Sequence, residues 1–212
     1  MVLSRYHIGI AGRIVSCKHG MVTILKAMRS DVETIELIER LARLVTNEGH
    51  AHGMKPAQWE ALRFLARANR FSRTPGGLTA YLGLTKGTVS QTLMSLERAG
   101  LVEKTANPGD GRSVRLDLTE KGRALLPLDG MATIMQAFEA LPPPLRASLG
   151  DGVAALVTSA LAARSGRAFG ICRACCHFAV DARGPGQHYC QLLKQPLEDA
   201  EAEQICQEQE AA

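Results

Sequence analysis

Between Thr85 and Leu118 the hydrophobic period of the chain changes once, from helical to alternating, and that change restricts the folds open to it. Thr85 is a hydroxyl N-cap ahead of Val89, Leu93 and Leu96, which recur at spacings of four and three, and Gly100 closes the run. Leu101 and Val102 then begin a short strand, and Asn107-Pro108-Gly109-Asp110-Gly111 is a dense turn. After it Val114, Leu116 and Leu118 alternate with Ser113, Arg115 and Asp117, the pattern of a two-faced strand. Upstream, a helix is predicted from Pro56, a residue suited to the first helical position, through Trp59, Leu62 and Leu65 to about Arg70. Pro75-Gly76-Gly77 is expected to break it, and a short apolar segment, 78–82, leads through Gly83-Leu84 to the Thr85 helix. Two helices across a glycine-containing turn, followed by a hairpin, make a winged helix-turn-helix.

The flanks read as helical. Ser30 and Glu33 match a capping box, and Val32, Ile35, Ile38, Leu41, Ala42 and Val45 follow at helical spacing. Residues 119–165 read as further helices, kinked or broken at Pro127 and Gly130 and divided by Leu141-Pro142-Pro143-Pro144-Leu145. The expected fold is mainly α with a small β-hairpin wing, of the α+β class. A winged-helix DNA-binding and dimerisation domain spans 30–165, and a small cysteine-rich, metal-binding subdomain spans 166–212. Residues 1–29 form an N-terminal arm. Within it, 1–27 precede Met28 and carry no acid and no comparable period, which reads as a flexible arm or as an upstream stretch that a start at Met28 would exclude.

The net charge of +4 is unevenly placed. Five basic residues and no acid occupy positions 1–30, so the remainder sums to −1. Within that remainder, residues 55–123 hold twelve Lys or Arg against six Asp or Glu, whereas 124–212 hold six against ten. A basic excess on one segment is the footprint of phosphate contact, although a solvated face shows it too. No run reaches the roughly 18 apolar residues that span a bilayer, and basic residues interrupt the N-terminal stretch. Neither signal peptide nor anchor is expected, and the chain is placed in a reducing cytoplasm.

On the helix from Lys86 to Ala99, burial of the apolar face leaves Lys86, Thr88, Ser90, Gln91 and Ser95 elsewhere. A helix in a major groove would bring such groups to base edges and phosphates, with Thr85 at its start. An amphipathic helix with a solvated polar face has the same pattern. Arg112 sits at the expected hairpin tip, where a guanidinium can enter a minor groove, with Asp110 placed to orient it and Arg115 further along the strand.

The chain resembles the MarR family of bacterial regulators over roughly residues 30–165. Three strings carry the resemblance: Leu78-Thr79-Ala80-Tyr81-Leu82-Gly83-Leu84-Thr85-Lys86-Gly87-Thr88-Val89-Ser90, Leu96-Glu97-Arg98-Ala99-Gly100-Leu101-Val102, and Pro108-Gly109-Asp110-Gly111-Arg112-Ser113-Val114-Arg115-Leu116-Asp117-Leu118-Thr119. The resemblance implies an obligate homodimer held by helices from both chain ends, with Thr88, Ser90 and Gln91 in the major groove and Arg112 in the minor groove. Family recognition helices often carry Arg where this chain has Gln91, and an amide there suits adenine. The implied function is that of a transcription regulator, typically a repressor, on a pseudo-palindromic operator in double-stranded DNA. Members often release DNA when a small phenolic or lipophilic effector binds; no residue pattern here names one.

Five of the six cysteines fall in the last 41 residues. Cys172-Arg173-Ala174-Cys175 is a CxxC turn, and Cys190 and Cys206 follow, giving four soft ligands. Cys176, His177 and His188 are near enough in sequence to substitute. The set suits Zn²⁺ or an iron–sulfur cluster. A zinc site usually pairs two CxxC turns and this tail has one, so a cluster competes fully with zinc; spacing does not decide between them, the lean is slightly to the cluster, and a reversible thiol switch without metal stays open. Phe169, Ile171, Phe178, Tyr189, Leu192, Leu193, Leu197 and Ile205 would be buried by such a subdomain. The competing function is a protein-interaction module with a structural zinc site. No nucleophile, base and orienting-acid set stands out, so no enzyme is expected.

Overall fold

The computed structural model describes residues 30–48, 51–107, 110–164, 166 and 169–211. The N-terminal arm therefore lies outside the described residues, as does Cys17. The chain divides into two compact units, 1–42 and 43–212, with the boundary inside the first helix. That helix, α1 (Asp31–Glu48), starts as the capping box requires. The Glu33 amide donates to Ser30 Oγ at 3.2 Å, and the Ser30 amide donates to Glu33 Oε2 at 2.8 Å.

In the second unit, α2 (Pro56–Arg67) places Trp59, Ala61, Leu62, Phe64 and Leu65 inward. It ends three residues earlier than its sequence predicts. Ala68 turns to extended backbone and bridges in parallel to Ile205, and the Asn69 amide donates to the Ile205 carbonyl at 2.9 Å. A pairing with a residue so distant has no local signature, and it overrides the helical pattern.

Pro75-Gly76-Gly77 is not a break but the first turn of α3 (Pro75–Leu82). Thr74 Oγ1 accepts from the Gly77 amide at 2.9 Å, and Pro75 occupies the first helical position, where its missing N–H costs nothing. Gly83 takes the left-handed conformation (φ 62°) that ends α3. Thr85 then caps α4 (Lys86–Arg98) by accepting from the Thr88 amide at 3.2 Å. Leu78, Val89, Leu93 and Leu96 close over α2 to form one core.

The hairpin consists of β1 (Val102–Asn107) and β2 (Asp110–Leu118). Val102 faces Leu118, Lys104 faces Leu116, and the register shifts between Ala106 and Asn107. The expected five-residue turn is thus shorter: Asn107 and Asp110 already pair, and Pro108 and Gly109 lie outside the described residues. Leu116 and Leu118 point into the core as predicted, whereas Val114 is exposed. Asp117 is the second departure, buried rather than solvated.

Three helices follow: α5 (Glu120–Leu125), α6 (Ala132–Glu139) and α7 (Pro143–Ala162). The expected break around Pro127 is a 3₁₀ turn, Leu126–Leu128, and the triple proline, rather than lying between α6 and α7, starts α7 with Pro142 as N-cap and Pro143 and Pro144 in the first turn. Thr119 joins the wing to this section. Its hydroxyl donates to the Gly100 carbonyl at 2.7 Å and accepts from the Gly122 amide at 3.0 Å. No helix among the described residues is long and apolar enough to cross a membrane.

The tail is built from β3 (Gly170–Ile171), β4 (Phe178–Ala179), β5 (Gln187–Cys190), β6 (Gln195–Glu198), the one-turn α8 (Asp199–Ala202) and β7 (Ile205–Cys206). β3 pairs with β7, and β4, β5 and β6 form a three-stranded antiparallel sheet in that order. Ile205 departs from the expectation of burial within the tail. It belongs to the helical core, and Phe169 packs against that core as well.

Gly122 tests the junction between wing and α5. A Cβ there would lie 2.1 Å from the Leu101 carbonyl oxygen, and backbone cannot yield as a side chain can. Gly122→Ala is expected to destabilise folding by about 1–3 kcal/mol, read as a lowered urea midpoint; an unchanged midpoint would show that the junction relaxes freely.

Candidate nucleic-acid interface

The polar residues picked out on α4 sit on its outer surface, where Lys86, Thr88, Ser90, Gln91 and Ser95 are all exposed. They are not equally available. Thr85 Oγ1 serves the N-terminal cap and lies 2.9 Å from Thr88 Oγ1. Ser95 Oγ accepts from Gln58 Nε2 at 3.0 Å, while Gln58 Oε1 accepts from the Lys55 amide, so Ser95 ties α4 to the start of α2. Ser90, Gln91 and Lys86 project near the N-terminal half, where a groove-bound helix meets base edges.

Two lysines border one open cleft of about 360 Å³, Lys86 from α4 and Lys104 from β1, with Pro75, Gly76 and Thr79 of α3 opposite. Lys104 Nζ also pairs with Glu97 at 2.5 Å. Sequence reasoning missed this wall, because the first turn of α3 was read as a break. The signal was present in Thr74 followed by Pro75, a cap and a first-turn proline.

On the wing, Arg112 is the third residue of β2, two positions in from its start rather than at the tip of a wide turn. The side chains of Asp110 and Arg112 lie outside the described residues. Arg115 is engaged: its Nε donates to Asp117 Oδ2 at 2.6 Å. Asp117 also receives Arg73 Nη1 at 2.8 Å, and the Leu116 amide donates to the Arg73 carbonyl at 2.7 Å. The buried carboxylate therefore holds the wing against the turn between α2 and α3, a role its alternating position in the sequence concealed. Half-buried among these groups, Arg73 has its pKa lowered by desolvation, which the Asp117 charge opposes.

The structure brings the four tail cysteines together: Cys172, Cys175, Cys190 and Cys206 line one cavity with Phe178 and Leu197. The CxxC turn forms as expected, with the Cys175 amide donating to the Cys172 carbonyl at 3.0 Å. The Cys172 and Cys206 thiols share a hydrogen bond, which pulls Cys206 down to about 6 and pushes Cys172 up. Of the neighbouring residues expected as substitutes, His177 lines the same cavity, whereas Cys176 and His188 do not. His188 is buried with Nδ1 accepting from the Asp181 amide at 3.0 Å and Nε2 3.1 Å from Asp199 Oδ1, so both ring nitrogens are committed. Cys176 and His177 also gather with Glu210, all three ligand atoms lying within 4.8 Å of one another.

Residues 52–113 match the MarR family model, a segment running through α2, α3, α4 and β1 into β2. No curated protein matches the chain. Among solved structures it is similar to a MarR transcriptional regulator from Methanosarcina mazei Go1, at 23% identity over 61% of this chain and 95% of that one, with a TM-score of 0.49. It is also similar to Streptococcus pneumoniae FabT in complex with DNA, at 23% identity over 60% and 96% of the two chains, with a TM-score of 0.48. Apo wild-type MarR from E. coli is similar at 23% identity over 61% and 98%, with a TM-score of 0.45.

Asp117→Asn removes the charge that two arginines share, leaving the half-buried Arg73 without its counter-ion. Stability is expected to fall by about 1–3 kcal/mol, and hydrogen exchange in β1 and β2 to accelerate more than in α2. Uniform acceleration would show that the carboxylate does not act on the wing in particular.

Proposed function

We propose that this chain is a MarR-type transcription regulator, acting as a repressor, that binds duplex DNA as a homodimer. The observation that carries the reading is α4 itself. Its apolar residues Val89, Leu93 and Leu96 are buried, leaving Lys86, Thr88, Ser90 and Gln91 exposed on one projecting helix within the segment that matches the family model. A hairpin directly after such a helix is placed to meet the neighbouring groove. The surrounding basic excess supplies phosphate contact, and an exposed amide at Gln91 supplies a base contact suited to adenine.

Dimerisation is supported by apolar rows that a single chain leaves open. On α7, Leu145, Leu149, Val153, Leu156 and Val157 recur at spacings of four and three, with Leu145 52% and Val157 50% exposed. On α1, Val32, Ile35, Ile38 and Leu41 are likewise exposed, Val32 at 68%. Rows of this extent mark surfaces that a partner covers. A two-fold pair of chains would read two half-sites about one helical turn apart. For a small-molecule effector, a cleft of about 620 Å³ beside α2 is lined by Tyr81, Leu126 and Met131 together with Glu60, Arg67 and the Arg63–Asp129 ion pair.

Selection from a randomised duplex library is the direct test, with the expectation of a pseudo-palindromic site and affinity that falls steeply as salt rises. Absence of any duplex binding at low salt, with protein–protein capture retained, would favour the interaction-module reading. Gln91→Ala is expected to change base preference at one position of each half-site while leaving the salt slope intact; a uniform loss over all sequences would restrict Gln91 to the backbone. Arg112→Ala is expected to cost about 1–3 kcal/mol of binding, and unchanged affinity would remove the wing from the interface.

A further inference from the structure

Four cysteines from separate stretches of the tail surround one cavity: Cys172 directly after β3, Cys175 closing the CxxC turn, Cys190 ending β5 and Cys206 in β7. One CxxC turn supplies two of these thiols and two separate strands supply the others, a set that an iron–sulfur cluster takes: two cysteines hold each iron of a two-iron cluster, and one holds each iron of a four-iron cluster.

The sulfurs are also provided with donors. Asn69 Nδ2 donates to Cys172 Sγ at 3.4 Å, the Leu193 amide donates to Cys190 Sγ at 3.4 Å, and the Glu208 amide donates to Cys206. N–H groups aimed at sulfur stabilise thiolate ligands and tune a cluster. Furthermore, the apolar cluster of the tail comprises Leu197, Phe71 and Phe178 together with Cys172, Cys190 and Cys206. A core that is half cysteine buries too little carbon to hold strands of two to four residues, and a metal centre supplies the missing cohesion.

The site adjoins the reading head through the turn between α2 and α3. Asn69, which donates to Cys172, accepts from the Ser72 amide through Oδ1 at 2.9 Å. Ser72 Oγ accepts from the amide of Gln207, the residue after Cys206, at 2.9 Å. The next residue, Arg73, binds the wing through Asp117 and Leu116. One side of a five-residue turn thus touches two ligand positions, and the other side holds β2.

We propose that Cys172, Cys175, Cys190 and Cys206 hold an iron–sulfur cluster, and that the Asn69–Arg73 turn couples its presence to DNA affinity. The second half rests on the DNA-binding reading above. The test is anaerobic reconstitution of the full chain with ferric iron, sulfide and a thiol reductant, which reduces part of the iron, followed by desalting, visible absorption and metal analysis. The expected product is brown, with iron and acid-labile sulfide in equal amounts and at least about two of each per chain. Cys190→Ser and Cys172→Ser lose both, with circular dichroism reporting their folding, and Cys176→Ser retains both. Cys190 is only partly buried against the tail cluster in which Cys172 is fully buried, so its variant keeps the test valid if Cys172→Ser does not fold. One non-exchanging zinc per chain, a colourless metal-free chain, or loss of iron in Cys176→Ser equal to that in Cys190→Ser would each overturn the cluster.

Coupling is read on the duplex selected from the randomised library. Loaded and metal-free chains are expected to differ about tenfold in Kd, and Ser72→Ala to narrow that gap at unchanged iron content. Equal Kd values in both forms would overturn the coupling. Failure of both forms to bind duplex would overturn the DNA reading, while the iron and sulfide contents would still decide the site.

Discussion

Asn69 is almost wholly buried, and a buried amide must be hydrogen-bonded at both ends to be tolerated. The partners it finds determine how the rest of the unit is joined. Its backbone amide binds Ile205, its side-chain oxygen closes the turn onto Ser72, and its side-chain nitrogen binds the sulfur of Cys172. Removing any one of these partners would expose the others to an unpaired polar group in the core, so the set stands or falls together. The consequence is that α2 stops at Arg67, α3 starts at Pro75, and β7 of the tail becomes part of the helical domain rather than an appendage beside it.

What was legible in the sequence was whatever is decided within about a dozen residues. The caps at Ser30 and Thr85, the glycine turn at Gly83, the apolar face of α4 and the alternation of Leu116 and Leu118 each rest on neighbours, and each appears in the structure. What was hidden depends on partners far along the chain. Nothing near Ala68 announces a bridge to Ile205, and nothing near Asp117 announces Arg73. Alternation assigned Asp117 to solvent because it cannot foresee a guanidinium arriving over the strand from a different turn. The first turn of α3 is a different kind of miss. Thr74 and Pro75 are a local start signal, but two glycines after the proline resemble a breaker, and only the close approach of Ser72 to Gly77, leaving no room for a Cβ, explains why glycine stands there.

The candidate sites divide along the same line. Exposure of Gln91 and Ser90 follows from helical geometry once Val89 and Leu93 are buried. The engagement of Ser95 with Gln58 and of Arg115 with Asp117 does not, since both depend on which side chain crosses from another element. For the cysteines, residue type and spacing identified the four that share a cavity. Spacing did not reveal that His188 is locked between Asp181 and Asp199, which removes it from the ligands on offer.

A two-stranded hairpin is marginal by itself, so the wing must take its position from what it touches. It is anchored at its base by Thr119 to Gly100, and along β2 by Arg73. The first contact ties it to α4, and the second ties it to the turn that also meets the cysteines. Helix and wing would have to address adjacent grooves at once, so their relative placement matters more to binding than the mobility of either alone. The Arg73–Asp117 pair joins β2 to the α2–α3 turn and does not involve the buried face of α4. A change at Cys172 or Cys206 reaches Asn69 and Ser72 directly and Arg73 one peptide later. The α2–α3 turn is thus one direct line of contact from the tail to the wing, and it bypasses the buried face of α4.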